Sequence, residues 1–147
     1  MAKKGSILNT TPEAAKLSAD FVSNRGKLPW PVANGIVTEY FGKSTIGNGV
    51  TKESQGWTLR TNPGSPIRAI FEGTVQRIID IPGATAIMVK HGEFFTIYKN
   101  IGNVSVSVGQ KVSTKQTLGT ADQQAEIEIQ IWKSFDLQDP KYWLAPN

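Results

Sequence analysis

From residue 27 onwards, glycine or proline interrupts the sequence at intervals of about eight to twelve residues, and the segments between alternate apolar and polar side chains. A period of two places successive side chains on opposite faces of a β-strand. Short strands at this spacing are typical of an all-β sandwich or barrel. We therefore predict strands over residues 36–41, 57–60, 67–71, 74–80, 84–90, 94–100 and 125–132.

Two segments depart from this pattern. Residues 42–55 are polar and contain three glycines, which predicts a long loop over one face. Near the N-terminus, Leu17 and Phe21 recur at helical spacing, and either Thr10 or Thr11 can cap the helix around Pro12. The expected organisation is a flexible tail over residues 1–10, a helix over 11–26 that ends a longer helical region, and one β domain over 27–147.

Composition excludes several classes of protein. The chain has 147 residues, no cysteine and one histidine, so a disulfide framework, a thiolate nucleophile and a zinc site with two imidazoles are ruled out. Its net charge of +4 is spread along the sequence without a basic run, and nucleic-acid binding is not expected. No apolar stretch approaches the roughly 20 residues that a transmembrane helix needs.

Seven short motifs occur in an order that resembles one known family. They are Pro29-Trp30-Pro31-Val32, Tyr40-Phe41-Gly42, Gly56-Trp57-Thr58-Leu59 with Gly64-Ser65-Pro66-Ile67-Arg68-Ala69 and Gly73-Thr74-Val75, His91-Gly92 with Thr96-Ile97-Tyr98, Val108-Gly109-Gln110-Lys111-Val112, Glu126-Ile127-Glu128-Ile129-Gln130-Ile131, and Asp139-Pro140 with Trp143-Leu144. Together they resemble a LytM domain, the fold of lysostaphin-type zinc endopeptidases that cut peptidoglycan cross-bridges. The resemblance covers residues 27–146 and implies a mainly β, LytM-type barrel-sandwich with one short N-terminal helix.

The same resemblance implies that the catalytic residues are missing. Active members use a His-x-x-x-Asp pair, which falls here on Ser54 and Thr58, a histidine that falls on Asn100, and a His-x-His pair that falls on Glu126 and Glu128. Zinc needs about three ligands of His, Asp, Glu or Cys type, and Ca²⁺ prefers six to eight oxygens. We therefore predict no catalytic residue, no metal and no cofactor. His91 matches a His-Gly pair at a strand end and is expected to be a turn histidine outside the catalytic set.

Strand parity predicts which side chains line the former active-site groove. In residues 125–132, the isoleucines alternate with Glu126, Glu128 and Gln130, so one face enters the core and the other is polar. From the residues alone, an ordinary solvent-facing strand is the favoured interpretation of such polar side chains. The resemblance instead places them around one partner-binding groove, whose predicted members are Ser54, Thr58, Arg60, Tyr98, Asn100, Glu126, Glu128 and Gln130.

The segment 24–32 after the predicted helix resembles that of EnvC-type murein hydrolase activators, in which a coiled coil leads into a degenerate LytM domain. This implies a non-catalytic activator of an N-acetylmuramoyl-L-alanine amidase, a peptidoglycan amidase, in cell separation. We expect a periplasmic fragment of an exported protein, whose full-length chain has an upstream coiled coil and contacts a division-complex protein. The groove is expected to bind an amidase helix, with Glu126 and Glu128 facing its basic residues.

Two other functions stay open at this stage. The domain could bind peptidoglycan without an amidase partner, or it could retain murein endopeptidase activity. Zinc content and peptidoglycan hydrolysis distinguish the second from the activator, and binding to isolated sacculi distinguishes the first.

Overall fold

The structure, a computed structural model, describes residues 11–146. Within that range the chain forms one α-helix, α1 (Pro12–Ser23), twelve β-strands and a short 3-10 helix (Pro140–Tyr142). The strands are β1 (Ile36–Glu39), β2 (Gly42–Gly47), β3 (Val50–Ser54), β4 (Trp57–Arg60), β5 (Pro66–Arg68), β6 (Gly73–Ile79), β7 (Thr85–His91), β8 (Phe94–Val104), β9 (Lys111–Val112), β10 (Thr117–Ala121), β11 (Glu126–Lys133) and β12 (Asp136–Gln138). The predicted mainly β class with one short helix is confirmed. The predicted tail over residues 1–10 lies outside the described residues.

Helix α1 is fixed at its N-terminus by Thr11, one of the two predicted caps. The Oγ1 atom of Thr11 accepts a hydrogen bond from the backbone N–H of Ala14 at 3.0 Å, and Pro12 takes the first turn, where no intrahelical donor is needed. Phe21 is fully buried, and its ring packs on Phe94 and Trp143 with centroid distances of 4.6 and 5.0 Å. The helix ends at Ser23, three residues before the predicted end, and forms part of the core of the domain. It is too short and too polar to cross a membrane, and it is the one α-helix in the described range.

Most strands form a single antiparallel sheet with the order β1-β4-β11-β8-β7-β6-β9. Strand β10 bridges β5 and β8, and β12 pairs with the second half of β11. Strand β11 therefore lies between β4 and β8. This arrangement brings three segments that are distant in sequence side by side, and their outer faces form one surface.

Alternation along the central strands separates this surface from the core. Ile127, Ile129 and Ile131 on β11 are fully buried, as is Leu59 on β4. Trp57 is also buried, between the rings of Trp30 and Tyr40 in edge-on contacts of 5.7 and 5.5 Å. The parity predicted for β4 and β11 is confirmed, so the polar residues between these positions face outward.

The prediction of a long loop over residues 42–55 was wrong. This segment forms a β-hairpin of β2 and β3, closed by Gly47, Asn48 and Gly49 with φ values of 112°, 49° and 75°. Left-handed φ angles of this kind are those of tight hairpin turns, which favour glycine and asparagine. Because the described side chains of both strands are largely exposed, the hairpin needs no apolar alternation, and the sequence pattern therefore does not reveal it.

Other boundaries also differ from the prediction. The strand expected over 67–71 is shorter, since β5 ends at Arg68, and β9, β10 and β12 were not among the predicted strands. These last three have two, five and three residues. Strands β9 and β12 contain too few positions for a period of two to be recognised. Strand β10, with the sequence Thr-Leu-Gly-Thr-Ala, lacks a strict alternation of apolar and polar residues.

His91 ends β7 directly before the turn at Gly92, as expected, and its side chain is fully buried. Its Nδ1 lies 2.6 Å from the carbonyl oxygen of Glu72, and a carbonyl only accepts, so Nδ1 carries the proton. Nε2 then accepts from the hydroxyl of Thr96 at 2.9 Å. The Tyr98 hydroxyl lies 2.9 Å from that of Thr96. Because the one hydroxyl proton of Thr96 is donated to His91, Tyr98 is the donor to Thr96, and its oxygen accepts from the backbone N–H of Ile70 at 2.9 Å.

Burial is the main cause of the pKa shifts of His91 and Tyr98. It lowers the pKa of His91 to about 4, against a smaller opposing effect of the Glu72 carbonyl. It also raises the pKa of Tyr98 to about 12. Both groups are therefore neutral at neutral pH, and every member of the chain has a hydrogen-bond partner.

Candidate functional site

The outer face of the sheet carries a row of side chains across four adjacent strands. Glu39 on β1 lies opposite Thr58 on β4, Thr58 lies opposite Glu128 on β11, and Glu128 lies opposite Lys99 on β8. Directly opposed residues on antiparallel strands have Cβ atoms about 5 Å apart, so neighbouring members of this row can interact. Thr58 and Glu128 are two of the predicted groove residues, and the pairing of β4 with β11 brings them together.

Each carboxylate of the row is paired within the chain. Glu39 Oε2 lies 2.6 Å from Nζ of Lys52, on the hairpin, and Glu39 Oε1 accepts a hydrogen bond from the Thr58 hydroxyl at 3.4 Å. Lys99 Nζ lies 4.0 Å from Oε1 of Glu128. The hydrogen bond and the negative charge of Glu39 raise the pKa of Lys52, so this ammonium group stays charged at neutral pH.

The second oxygen of Glu128 is held by a chain of amide and indole hydrogen bonds. Gln130 Nε2 donates to Glu128 Oε2 at 2.6 Å, and Trp132 Nε1 donates to Gln130 Oε1 at 3.0 Å. All three residues belong to β11 and alternate along its outer face, as parity predicts. Gln130 is nevertheless buried, with 4% of its surface exposed, so it orients Glu128 rather than presenting its own amide to a ligand.

A second polar row lies one step along the same strands. Arg60 and Glu126 are directly opposed on β4 and β11, and Arg60 NH2 lies 3.1 Å from Glu126 Oε2. The side chains are 60% and 39% exposed, so solvent weakens this ion pair. The pair extends the polar surface beyond Thr58 and Glu128.

Ser54 ends β3 at the base of the hairpin, where its hydroxyl is engaged locally. Its Oγ donates to the carbonyl oxygen of Gly56 at 2.8 Å. At Gly56 the backbone approaches β11 so closely that an added Cβ would lie 2.1 Å from the carbonyl oxygen of Ile129. Only glycine fits this approach, which fixes the hairpin base beside β11.

These elements enclose a cleft of about 540 Å³ between the hairpin and the sheet. Of the predicted groove residues, Ser54 and Glu128 line it directly, and Thr58 is connected to it through Glu39. Sequence reasoning missed the other residues around it. They are Glu39, Phe41, Gly42, Lys52, Glu53, Gln55, Lys99 and Leu137.

The predicted orientation of Tyr98 was wrong. Tyr98 lies opposite the buried Ile129 and is itself fully buried, so its side chain enters the core and its neighbour Lys99 faces the cleft. Asn100, expected on the same face as Tyr98, has a φ of 69° at an irregularity in the pairing of β7 with β8. A charged residue within an otherwise uncharged strand is the signal that could have corrected this, because Lys99 is the single charged residue of β8.

Comparison with known proteins identifies the fold family. The sequence profile of Peptidase family M23 matches residues 52–139, which include β4, β8, β11 and much of the cleft. The chain belongs to peptidase family M23. The resemblance to a LytM domain is thereby confirmed, whereas the EnvC-type subfamily belongs to the proposal below.

Individual relatives of this M23 domain are distant. Cell division protein DipM of Caulobacter vibrioides (strain NA1000 / CB15N) is 25% identical over 111 residues, which are 73% of the chain and 17% of DipM. A chain in the crystal structure of the SpoIIIAH and SpoIIQ complex superposes with a TM-score of 0.66 at 21% identity, covering 78% of this chain and 97% of that one. Lysostaphin superposes with a TM-score of 0.63 at 20% identity, covering 78% and 53%. The two structural comparisons show a shared fold.

The M23 fold implies a zinc ion, but the residues at the implied ligand positions do not fit one. Ser54 and Thr58 offer neutral hydroxyls that are hydrogen-bonded to Gly56 and Glu39. Glu128 offers a carboxylate, but its oxygens face Gln130 and an ammonium group. Within residues 11–146, no three His, Cys, Asp or Glu side chains come close enough together to hold a metal ion. A catalytic zinc needs about three such ligands, and the three implied ligand positions supply one, Glu128.

Proposed function

We propose that this M23 domain is a non-catalytic activator of a peptidoglycan amidase, an N-acetylmuramoyl-L-alanine amidase that acts in cell separation. The domain binds the amidase through the cleft between the hairpin and the sheet. It acts in the periplasm as part of a longer, EnvC-like exported protein, which has a coiled coil upstream and contacts a division-complex protein.

A single observation carries this proposal: the domain has an organised cleft, but the residues at its implied zinc-ligand positions do not fit zinc. A hydrolase that lost its zinc ligands by chance has no reason to keep an organised groove. Here Glu128, which lines the cleft, is held by a hydrogen-bonded chain through Gln130 and Trp132. Glu39 and Lys52, which also line it, form an ion pair. An organised surface without catalytic groups suits recognition of a partner.

The relatives support a regulatory role without assigning one. DipM is named a cell division protein, and a chain with this fold occurs in a complex of SpoIIIAH with SpoIIQ. The first relation is to a protein of cell division, and the second is to an assembly of proteins. Both agree with an M23 domain that works by binding.

The contacts of the cleft alter the expected chemistry of the partner. Glu126 and Glu128 were expected to face basic residues of an amidase helix, but they already face Arg60 and Lys99 of the same chain. Unpaired charge is therefore not the main attraction. Phe41 and Leu137 are partly buried side chains at the cleft, and we propose that they anchor an apolar stripe of the partner helix.

The test is the rate of peptidoglycan digestion by a purified amidase, measured with and without the domain. We expect stimulation by the domain, and no digestion by the domain alone. Leu137→Arg inserts a long charged side chain into the cleft and should abolish stimulation. Val108→Arg is the matched control, since Val108 is exposed and does not line the cleft.

Three outcomes distinguish the proposals. Loss of stimulation with Leu137→Arg but not with Val108→Arg supports the cleft as the amidase site. Binding to isolated sacculi without any effect on an amidase would instead support a peptidoglycan-binding module. Stimulation that survives both substitutions would place the contact elsewhere, provided that both variants keep the melting temperature of the original domain.

A further inference from the structure

The cleft contains a lysine, Lys99, next to the carboxylate of Glu128. We propose that Lys99, supported by Lys52, supplies the positive charge of the cleft in place of a metal ion and closes the site to divalent cations. The inference concerns the same cleft as the proposed function, but it does not depend on an amidase.

Lys99 lies next to the one carboxylate at an implied zinc-ligand position. It is directly opposite Glu128 on the neighbouring strand, and Glu128 is the one residue at an implied zinc-ligand position that could coordinate a metal. Its ammonium nitrogen lies 4.0 Å from Glu128 Oε1. A cation that coordinates this oxygen would lie close to the ammonium group, whose like charge repels it.

Glu128 is itself held in place by hydrogen bonds within β11. The hydrogen bond from Gln130 at 2.6 Å holds Oε2, and Gln130 is in turn held by Trp132. Glu128 therefore cannot turn away from Lys99 without breaking this chain. With its side chain 20% exposed, Glu128 is shielded enough from water for a neighbouring charge to matter.

A second carboxylate, on the other side of Thr58, is also paired with a lysine. Glu39 pairs with Lys52 at 2.6 Å, and Glu39 also accepts the Thr58 hydrogen bond. The two carboxylates that flank Thr58 thus each have an ammonium group of this chain. A site built for a cation would instead leave such carboxylates free to coordinate it.

The experiment rebuilds the ligands and then removes the lysine. The starting variant carries Ser54→His, Thr58→Asp and Glu128→His, which restore three ligands of the kinds zinc accepts. Lys99→Met is added to one copy and Lys133→Met to another. Lys133 is the matched control because it is an exposed lysine on the strand of Glu128, away from the cleft. Zinc affinity is measured by isothermal titration calorimetry with zinc alone.

We expect Lys99→Met to raise the zinc affinity of the rebuilt domain by about tenfold or more, and Lys133→Met to change it by less than about twofold. Equal effects of the two substitutions would overturn the inference. No amidase enters this measurement, so its failure leaves the activation test standing, and failure of activation leaves this result standing.

A second measurement covers the case in which the rebuilt variants do not fold. In the unmodified domain, Lys99→Met should lower the melting temperature by about 2 °C, because it leaves Glu128 without its cation. Lys99→Arg should preserve it, and adding Glu128→Gln to Lys99→Met should recover most of the loss. A loss that neither change rescues would show that Lys99 acts through packing, which also overturns the inference.

Discussion

The buried histidine predicts a specific loss of stability in mild acid. His91 is the single histidine of the chain, it is fully buried, and its Nε2 accepts the Thr96 hydroxyl. Protonation removes that acceptor and places a charge in the core. Burial lowers the pKa of His91 to about 4 from the ordinary value of 6.5. Between these two values the unfolded chain binds a proton that the folded chain does not, so the free energy of unfolding falls as the pH falls.

The size of the effect follows from the two pKa values. A difference of 2.5 units between 6.5 and about 4 corresponds to about 3 kcal/mol once the pH is below both values. The whole range between pH 7 and pH 5 lies above the folded pKa, and most of it lies below the unfolded pKa, so about 2 kcal/mol of the loss falls there. Above the unfolded pKa of 6.5, His91 makes no further contribution to the pH dependence.

The assay is urea unfolding at pH 7 and pH 5, followed by tryptophan fluorescence. The control is His91→Gln, which keeps hydrogen-bonding groups but does not titrate. We expect the original domain to lose about 2 kcal/mol between the two pH values, and the variant to lose much less. Equal losses in the two proteins would refute the assignment to His91, and no loss in either would refute the lowered pKa.

Two further substitutions test the packing around the cleft. Tyr98→Phe removes the hydroxyl that accepts from the buried N–H of Ile70. It should lower the free energy of unfolding by about 1–3 kcal/mol, measured by urea unfolding at neutral pH. An unchanged urea midpoint would contradict the core position of Tyr98. Gly56→Ala places a Cβ 2.1 Å from the carbonyl oxygen of Ile129 and should cost about 3 kcal/mol or more, measured by thermal unfolding; an unchanged melting temperature would show that the hairpin base is not fixed on β11.

The parts of the fold that sequence predicts are those where burial imposes a period. Strand β11 alternates three buried isoleucines with polar residues, so its two faces can be read directly from the sequence. The N-terminus of α1 is similarly explicit, because a threonine cap and a proline each have one favourable position there. In both cases the local residues determine the local structure.

The parts that sequence does not predict depend on distant neighbours. Tyr98 and Lys99 are adjacent, and the register with β11 decides which of them enters the core. The sequence does not show that the Tyr98 hydroxyl has two hydrogen-bond partners in the core, the Thr96 hydroxyl and the backbone N–H of Ile70. Lys52 meets Glu39 because a hairpin folds back, and an exposed hairpin has no apolar alternation. The charges of the cleft therefore become apparent only in three dimensions.

The most direct test of the central claim, an M23 cleft without zinc chemistry, is the metal content of the domain after incubation with zinc, measured together with its action on peptidoglycan. The domain is freed of excess metal by gel filtration, analysed by mass spectrometry of the metal, and then incubated with purified peptidoglycan. We predict that the domain carries no stoichiometric zinc and does not digest peptidoglycan. About one zinc per chain, with digestion that a chelator abolishes, would contradict it.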